Sequence, residues 1–298
     1  MRVFISLLLI WLTLGCTGSD SGDRSMDDLR TSIQEVIDNI NGSIAVAYVN
    51  LDHPGDTLYI NADRMYHAAS TMKTPVMIEA YRQAYDGGIT IMDSVYVHNE
   101  FKSIVDGSLY SIDRQRDSGS DFHDQIGSYV PMRDVIYNMT ILSGNLATNL
   151  VIDIVGAEHV MRTMRELGAD NIEVLRGVED MLAFQNGMNN RTSARDLAIL
   201  FEHLARGSAV SPEMDGDMIA ILKDQEFRSM IPAGLPDNAV VAHKTGSITG
   251  INHDSGIVYL PDGRSYVLVI LTGDLENNED GIQAGAEISR IIYEWMQS

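Results

Sequence analysis

His67-Ala68-Ala69-Ser70-Thr71-Met72-Lys73-Thr74-Pro75-Val76-Met77-Ile78-Glu79-Ala80 opens as a turn and closes as an apolar helix. Helical spacing runs from Thr71 to Tyr85. It puts Ser70 and Lys73 one turn apart on one face, at the end where backbone N–H groups lack intrahelical acceptors. Serine is a poor nucleophile until something takes its proton, and a lysine in a partly desolvated pocket is neutral often enough to do so. Pro75 has no N–H to offer Thr71, so the first turn is expected to be irregular. A lone Ser-x-x-Lys is a weak signal. Its weight depends on where the chain places its other lysines.

Cations in this chain are overwhelmingly arginine, with four lysines among 21 basic residues. One lysine follows Ser70 and another opens Lys244-Thr245-Gly246. Between them lies Ser143-Gly144-Asn145, the only Ser-x-Asn in the chain. Taken singly, these read as a helix-start serine, a loop cap and a strand-end turn. In this order and at this spacing they resemble the serine β-lactamase and penicillin-binding protein superfamily, class A β-lactamases in particular.

The resemblance spans essentially the whole chain after its N-terminal leader. It implies an α/β plus all-α fold, in which an antiparallel five-stranded sheet flanked by helices carries an inserted all-helical subdomain. It implies that Ser70 attacks a lactam or peptide carbonyl and that Lys73 accepts or relays the proton. The backbone N–H groups of Ser70 and Ser247 would hold the oxyanion. Ser143 would pass a proton to the leaving nitrogen, with Lys244 in reach of that hydroxyl. Thr245 and Ser247, flanking Gly246, would bind a substrate carboxylate, and Asn145 would bind Lys73 or the substrate's side-chain amide. The expected ligand is a β-lactam, with no cofactor, and the expected state is a monomer.

The N-terminus begins Met1-Arg2 and continues with an apolar run from Val3 to Leu14, too short for a mature membrane span. It reads as an export signal over residues 1–15. Thr13-Leu14-Gly15-Cys16 resembles a bacterial lipobox, and Cys16 is the only cysteine, which excludes an intrachain disulfide. A lipid anchor at Cys16, a small polar tether to residue 28 and a periplasmic location are the resulting expectations. Forty-two acids against 21 bases give a net charge of −21. That argues against nucleic acid or an anionic membrane surface as a partner of the folded body, leaving the anchor as the membrane contact.

The catalytic domain is expected over residues 29–298. Leu29, Ile33, Val36, Ile37 and Ile40 repeat at helical spacing. Ser43 to Asn50 alternates, with Ile44, Val46 and Tyr48 on one face, and Thr57 to Asn61 comes after a Pro54-Gly55 turn as a second strand. Helices are predicted over Val130 to Leu142, Leu146 to Val155, Glu158 to Leu167 and Ser193 to Arg206, and a polar excursion over Phe101 to Tyr129. Strand character returns at Ala239 to Lys244, Gly256 to Leu260 and Tyr266 to Thr272, the last apolar enough for a central strand. A helix from Ile282 to Met296 closes the chain. Two early and three late strands around a helical block place 29–69 and 208–298 in the α/β part and 70–207 in the mainly helical part.

The fate of an acyl-enzyme depends on a second base. In the class A enzymes that the chain resembles, it is a glutamate in a loop reading Glu-x-x-Leu-Asn. Here Glu179-Asp180-Met181-Leu182-Ala183 keeps Glu-x-x-Leu but has Ala183 in place of the asparagine, so Glu179 is the candidate base. Asn186, Asn189 and Asn190 are the nearby amides that could replace the missing one. The arginine common on the strand after Lys-Thr-Gly is absent from Ile251-Asn252-His253-Asp254, leaving Asn252 or His253 to assist Thr245 and Ser247. His243 and His253 are read as structural, and no histidine spacing suggests a metal. The departure at Ala183 keeps two alternatives open: a DD-peptidase-like cell-wall enzyme, and an envelope lipoprotein that binds β-lactams without hydrolysing them.

Overall fold

The computed structural model describes residues 25–297. The expected export signal and the anchoring Cys16 lie outside the described residues. Five strands, β1 (Ser43–Asn50), β2 (Thr57–Ile60), β3 (Val240–Ile248), β4 (Ile251–Tyr259) and β5 (Ser265–Gly273), form one antiparallel sheet in the order β2-β1-β5-β4-β3. The apolar run of β5 is explained by its central place, paired with β1 on one side and β4 on the other.

Nine helices surround this sheet in the described residues: α1 (Met26–Asp38), α2 (Lys73–Tyr85), α3 (Met132–Ile141), α4 (Asn145–Val155), α5 (Ala157–Glu166), α6 (Met181–Gln185), α7 (Ala194–Ala205), α8 (Pro212–Lys223) and α9 (Asn278–Gln297). The strand period of two sorts side chains between two cores. Ile44, Val46, Tyr48, Leu268 and Ile270 pack with Leu29 and Ile33 of α1 and Ile288 and Ile292 of α9. Ala45, Ala47, Val267, Val269 and Leu271 face the opposite way, into the core shared with α2 and α7. Both faces of β1 are therefore buried, where the sequence pattern suggested one apolar face.

Helix α2 is buried from Lys73 to Tyr81 and forms the axis of the helical part, in contact with α3, α4, α5 and α8. Burial all round is what a helix at the centre of a bundle requires, and it carries Lys73 into the interior. The helical part also contains three two-stranded ribbons, one of them joining Tyr66–His67 to Arg191–Thr192.

Three features differ from the sequence expectation. Helix α8 was not foreseen, although Ser211 caps it by accepting from Met214 N and Pro212 occupies its first turn, a recognised start signal. Strand β3 continues through Thr245-Gly246-Ser247 to Ile248. Strand β4 begins at Ile251, turning at Thr249-Gly250 with Gly250 in the left-handed region, φ 77°. Hydrophobic patterning stops where this hairpin becomes polar. The hairpin persists because its buried polar groups, Lys244, His253 and Asp254 among them, find hydrogen-bond partners.

Candidate active site

The turn before α2 is a short 3₁₀ segment, Ala69–Met72, so the irregular first turn expected from Pro75 is present. Ala69 lies in the left-handed region at φ 45°, a strained conformation for a residue with a Cβ. It is held by Ala69 N donating to His67 Nδ1 (3.0 Å) and by Thr71 Oγ1 donating to Ala68 O (2.6 Å). The turn presents Ser70 against the edge strand β3. Contact there requires a glycine: a Cβ at Gly246 would lie 2.9 Å from Ser70 N and 3.1 Å from Thr71 N. Gly246 therefore lets the two backbones meet, with the Ser70 N–H beside the strand that carries Ser247.

Ser143 stands between the two lysines, its backbone at φ 58°. Lys73 Nζ donates to Ser143 Oγ (3.2 Å), Ser143 O (2.6 Å) and Asn145 Oδ1 (3.0 Å), while Lys244 Nζ donates to Ser143 Oγ (3.1 Å) and Thr245 O (2.9 Å). Both lone pairs of the Ser143 hydroxyl are thus engaged, which leaves its own proton to be given away. Burial lowers the Lys73 pKa to about 7, opposed by the negative charges of Asp117 and Glu179. Burial and then the positive charge of Lys73 push Lys244 well below its ordinary value. A neutral amine is a proton acceptor near pH 7, so one lysine here can take a proton and the pair together can attract an anion. The contacts of Lys73 lie on the Ser143 and Asn145 side, so taking a proton from Ser70 requires one of them to be exchanged.

Asn145, the first residue of α4, links this cluster to the loop over residues 176–190. Its Oδ1 accepts from Lys73 while its Nδ2 donates to Glu179 Oε1 (3.2 Å). Glu179 has φ 63°. Asn149, one turn further along α4, brackets the preceding residue by accepting from Val178 N (2.6 Å) and donating to Val178 O (3.0 Å). Asp180 accepts from Ser103 Oγ, Ile104 N and Ala183 N, tying the loop to the neighbouring ribbon. At the loop's neck, Asn190 Oδ1 accepts from the N–H groups of Leu175 and Arg176, and the Arg176 guanidinium donates to Met188 O, Gly177 O and Asn189 Oδ1.

The asparagines considered as replacements for the missing amide are accordingly engaged elsewhere. Asn186 donates to Leu182 O, and Asn189 and Asn190 serve the neck. The amide on Glu179 belongs to Asn145, and the amide beside it to Asn149. Sequence reasoning missed Asn149, though its spacing of four from Asn145 on one helix face was a usable signal.

A cleft of about 430 Å³ collects Ser70, Ser143, Asn145, Thr245, Gly246 and Ser247, with Asn252 and His253 at the strand side and Arg116, Ser118 and Phe227 on the walls. The cluster expected from sequence is therefore brought together, and Glu179 joins it through Asn145. Arg116 was not foreseen, because nothing in a polar loop marks which residue will face a cleft. His253 donates from Nε2 to His67 O (2.9 Å) and accepts at Nδ1 from Thr272 N (3.1 Å), and burial lowers its pKa to about 4, so it is a neutral spacer between elements. His243 is buried against Asp254 (2.8 Å) on the face of the sheet away from Lys244. Among the described residues no group of three or more His, Cys, Asp or Glu side chains is placed to hold a metal ion. A larger groove of about 650 Å³ between α1 and α9 carries a surface network in which Arg290 pairs with Glu287 and Glu294.

Comparison with known proteins bears on the family and the fold. The model of a family described as the β-lactamase enzyme family matches residues 28–296. A β-lactamase from Bacteroides uniformis is 22% identical over 306 residues, covering 99% of both chains. β-Lactamase VEB-1 from Pseudomonas aeruginosa is also 22% identical, over 311 residues and 99% of each chain. Among solved structures, PBP-A superimposes with a TM-score of 0.78 at 26% identity over 92% of this chain and 97% of its own. The TLA-1 extended-spectrum β-lactamase reaches 0.80 at 21% identity, over 92% of this chain and 100% of its own, a likeness of fold.

Proposed function

This chain belongs to the β-lactamase enzyme family, and on that premise we propose that it is a class A-like serine β-lactamase hydrolysing the β-lactam amide through an acyl-enzyme on Ser70. The observation that carries this reading is the shared wiring of the two proton acceptors, since Lys73 and Glu179 both bond Asn145 and Lys73 and Lys244 both bond Ser143. Ser70 Oγ attacks the lactam carbonyl and loses its proton to Lys73. The developing oxyanion takes the N–H groups of Ser70 and Ser247, and Ser143 gives its proton to the departing ring nitrogen, drawing a replacement from Lys73. Thr245 and Ser247, on the strand that Gly246 brings against Ser70, hold the substrate carboxylate in the field of Lys244. Glu179 then activates the water that releases the product acid.

Ala183 supports a second reading, a DD-peptidase-like or β-lactam-binding envelope protein that acylates and does not turn over. The likeness to PBP-A favours it, as does the fact that among the described residues Asn145 supplies the one side-chain amide on Glu179. In either case we propose an exported monomer anchored through Cys16.

The test is to mix the purified protein with a chromogenic cephalosporin while tracking absorbance and intact mass together. Fast turnover with little adduct is expected. A lasting adduct on Ser70 without turnover selects the second reading, and a result with neither turnover nor adduct removes both.

A further inference from the structure

Asp117 is a buried carboxylate with an unusual set of partners for a residue in a polar loop. Its Oδ1 accepts from Asn145 N (2.8 Å) and Gly119 N (3.0 Å), and its Oδ2 accepts from Leu146 N (3.0 Å) and His123 Nε2 (3.0 Å). Asn145 and Leu146 are the first two residues of α4, whose N–H groups have no acceptor within the helix. Asp117 thus caps α4 from another segment of the chain, with its charge on the positive end of the helix dipole. The residue at the cap position, Gly144, has no side chain to do so.

Class A β-lactamases carry an aspartate between the serine and asparagine of this motif. Here the Asn138 amide stands where such a side chain would begin. A Cβ at Gly144 would lie 2.0 Å from Asn138 Oδ1, and a Cβ at Gly119 would lie 2.7 Å from Gly144 Cα and 2.6 Å from Asn138 Oδ1. Asn138 Oδ1 is itself buried without a hydrogen-bond partner, so the two glycine backbones and this amide fill the space where a side chain at 144 would begin. The loop that brings Gly119 against Gly144 also brings Asp117, two residues earlier, onto the N–H of Asn145.

We propose that Asp117 is a positioning residue for acylation, fixing the Ser143-Gly144-Asn145 turn from outside and supplying a buried negative charge to Lys73. The inference rests on the Ser70 acylation reading. The charged groups that face Lys73 are Asp117, Glu179 of the 176–190 loop and Lys244 of β3, while Asp117 itself faces His123. Lys73 must be neutral to take the serine proton, so the acylation rate rises with pH through its pKa. Asp117 favours the ammonium form. Deleting its charge therefore moves that rise to lower pH.

Asp117→Asn and Asp117→Ser keep an acceptor oxygen near the helix end and remove the charge. Single-turnover acylation by a chromogenic cephalosporin would be measured from about pH 5 to about pH 9 for both variants, with thermal melts alongside. We expect the plateau to drop about tenfold or more, because Asn145 and Ser143 are less firmly held, and the acid limb to move down by about one pH unit. A plateau that drops with the limb unmoved would reduce Asp117 to a structural cap and overturn the proposal. So would wild-type acylation in either variant, or the failure of both to fold. A wild-type protein that neither turns the cephalosporin over nor forms an adduct on Ser70 removes the acylation reading itself and this inference with it, and absorbance and intact mass of the wild type read first separate that case.

Discussion

Lys73 and Glu179 share one partner, Asn145, and beyond it their surroundings diverge. Lys73 is carried by a buried helix, is 1% exposed and makes three hydrogen bonds within the Ser143 and Asn145 cluster. Glu179 sits on a loop in the left-handed region, with one side-chain hydrogen bond of 3.2 Å and a backbone contact to Asp113 N of 3.5 Å. The amine is poised by burial between regular elements, whereas the carboxylate is poised by a loop that Asn149, Asp180 and Arg176 brace from outside. A site built this way should be robust in acylation and tunable in deacylation. The branch point between a hydrolase and a penicillin-binding protein would then lie in the loop.

The largest effect expected is that of Ser70→Ala. With no nucleophile, acylation should fall by about 10⁴-fold or more and no adduct should appear by mass. Binding of an anionic β-lactam, read by competition, should survive because Lys244, Thr245 and Ser247 are untouched. An adduct elsewhere in this variant would mean that the cluster around Ser143 is not the acylation half.

Glu179→Gln should rank second, with a loss confined to the other half. Glutamine keeps an oxygen to accept from Asn145 but cannot take a proton from water, so acylation should stay near wild type while hydrolysis of the adduct slows by about 10²- to 10⁴-fold. Intact mass should show acyl-enzyme accumulating on Ser70. Turnover at the wild-type rate would remove Glu179 from the mechanism and erase the contrast between the two halves.

A third effect separates the halves by pH. Burial lowers the Lys73 pKa to about 7, and only the neutral amine accepts a proton, so the burst rate of acylation should fall about tenfold per pH unit below that point and level off above it. A burst rate flat down to pH 5 would show that Lys73 is not the acceptor.

Legibility in the sequence divides along the same line. Ser70, Lys73, Ser143 and Lys244 could be singled out because their motifs resemble those of a known superfamily and scarce lysines made two of them conspicuous, and the fold brings them to one cluster. Strand β5 could be read because a central strand must be apolar on both faces. The full length of β3 and β4 could not, since strands that bury Lys244 and Asp254 against partners outside the hairpin, Ser143 and the Ile231 N–H, show no hydrophobic period. Asp117 was invisible for the same reason. Its bond to Asn145 N joins positions 28 residues apart, and nothing local distinguishes it from the other acids of its loop. For the loop, the sequence offered Glu-x-x-Leu and the loss of an asparagine at Ala183. The bracing amide came from a helix instead, at Asn149.

Asn149→Ala should give the smallest effect and the sharpest one. The substitution removes both hydrogen bonds to Val178 and orphans a backbone N–H and C=O beside Glu179, at a cost of about 1–3 kcal/mol in stability if those groups stay buried. The φ of 63° at Glu179 is then no longer held from its N-terminal side. The carboxylate should wander by a fraction of an ångström, enough to slow deacylation by about tenfold, because a misplaced base loses the near-attack geometry of its water. Acylation should change by less than about twofold, since Asn149 touches neither Lys73 nor Ser143. Single-turnover acylation and adduct decay, measured separately, distinguish the outcomes. Equal slowing of both steps would mean that the loop and the lysine cluster move as one unit, and the apparent division of the cleft would be a division of chemistry only, not of structure.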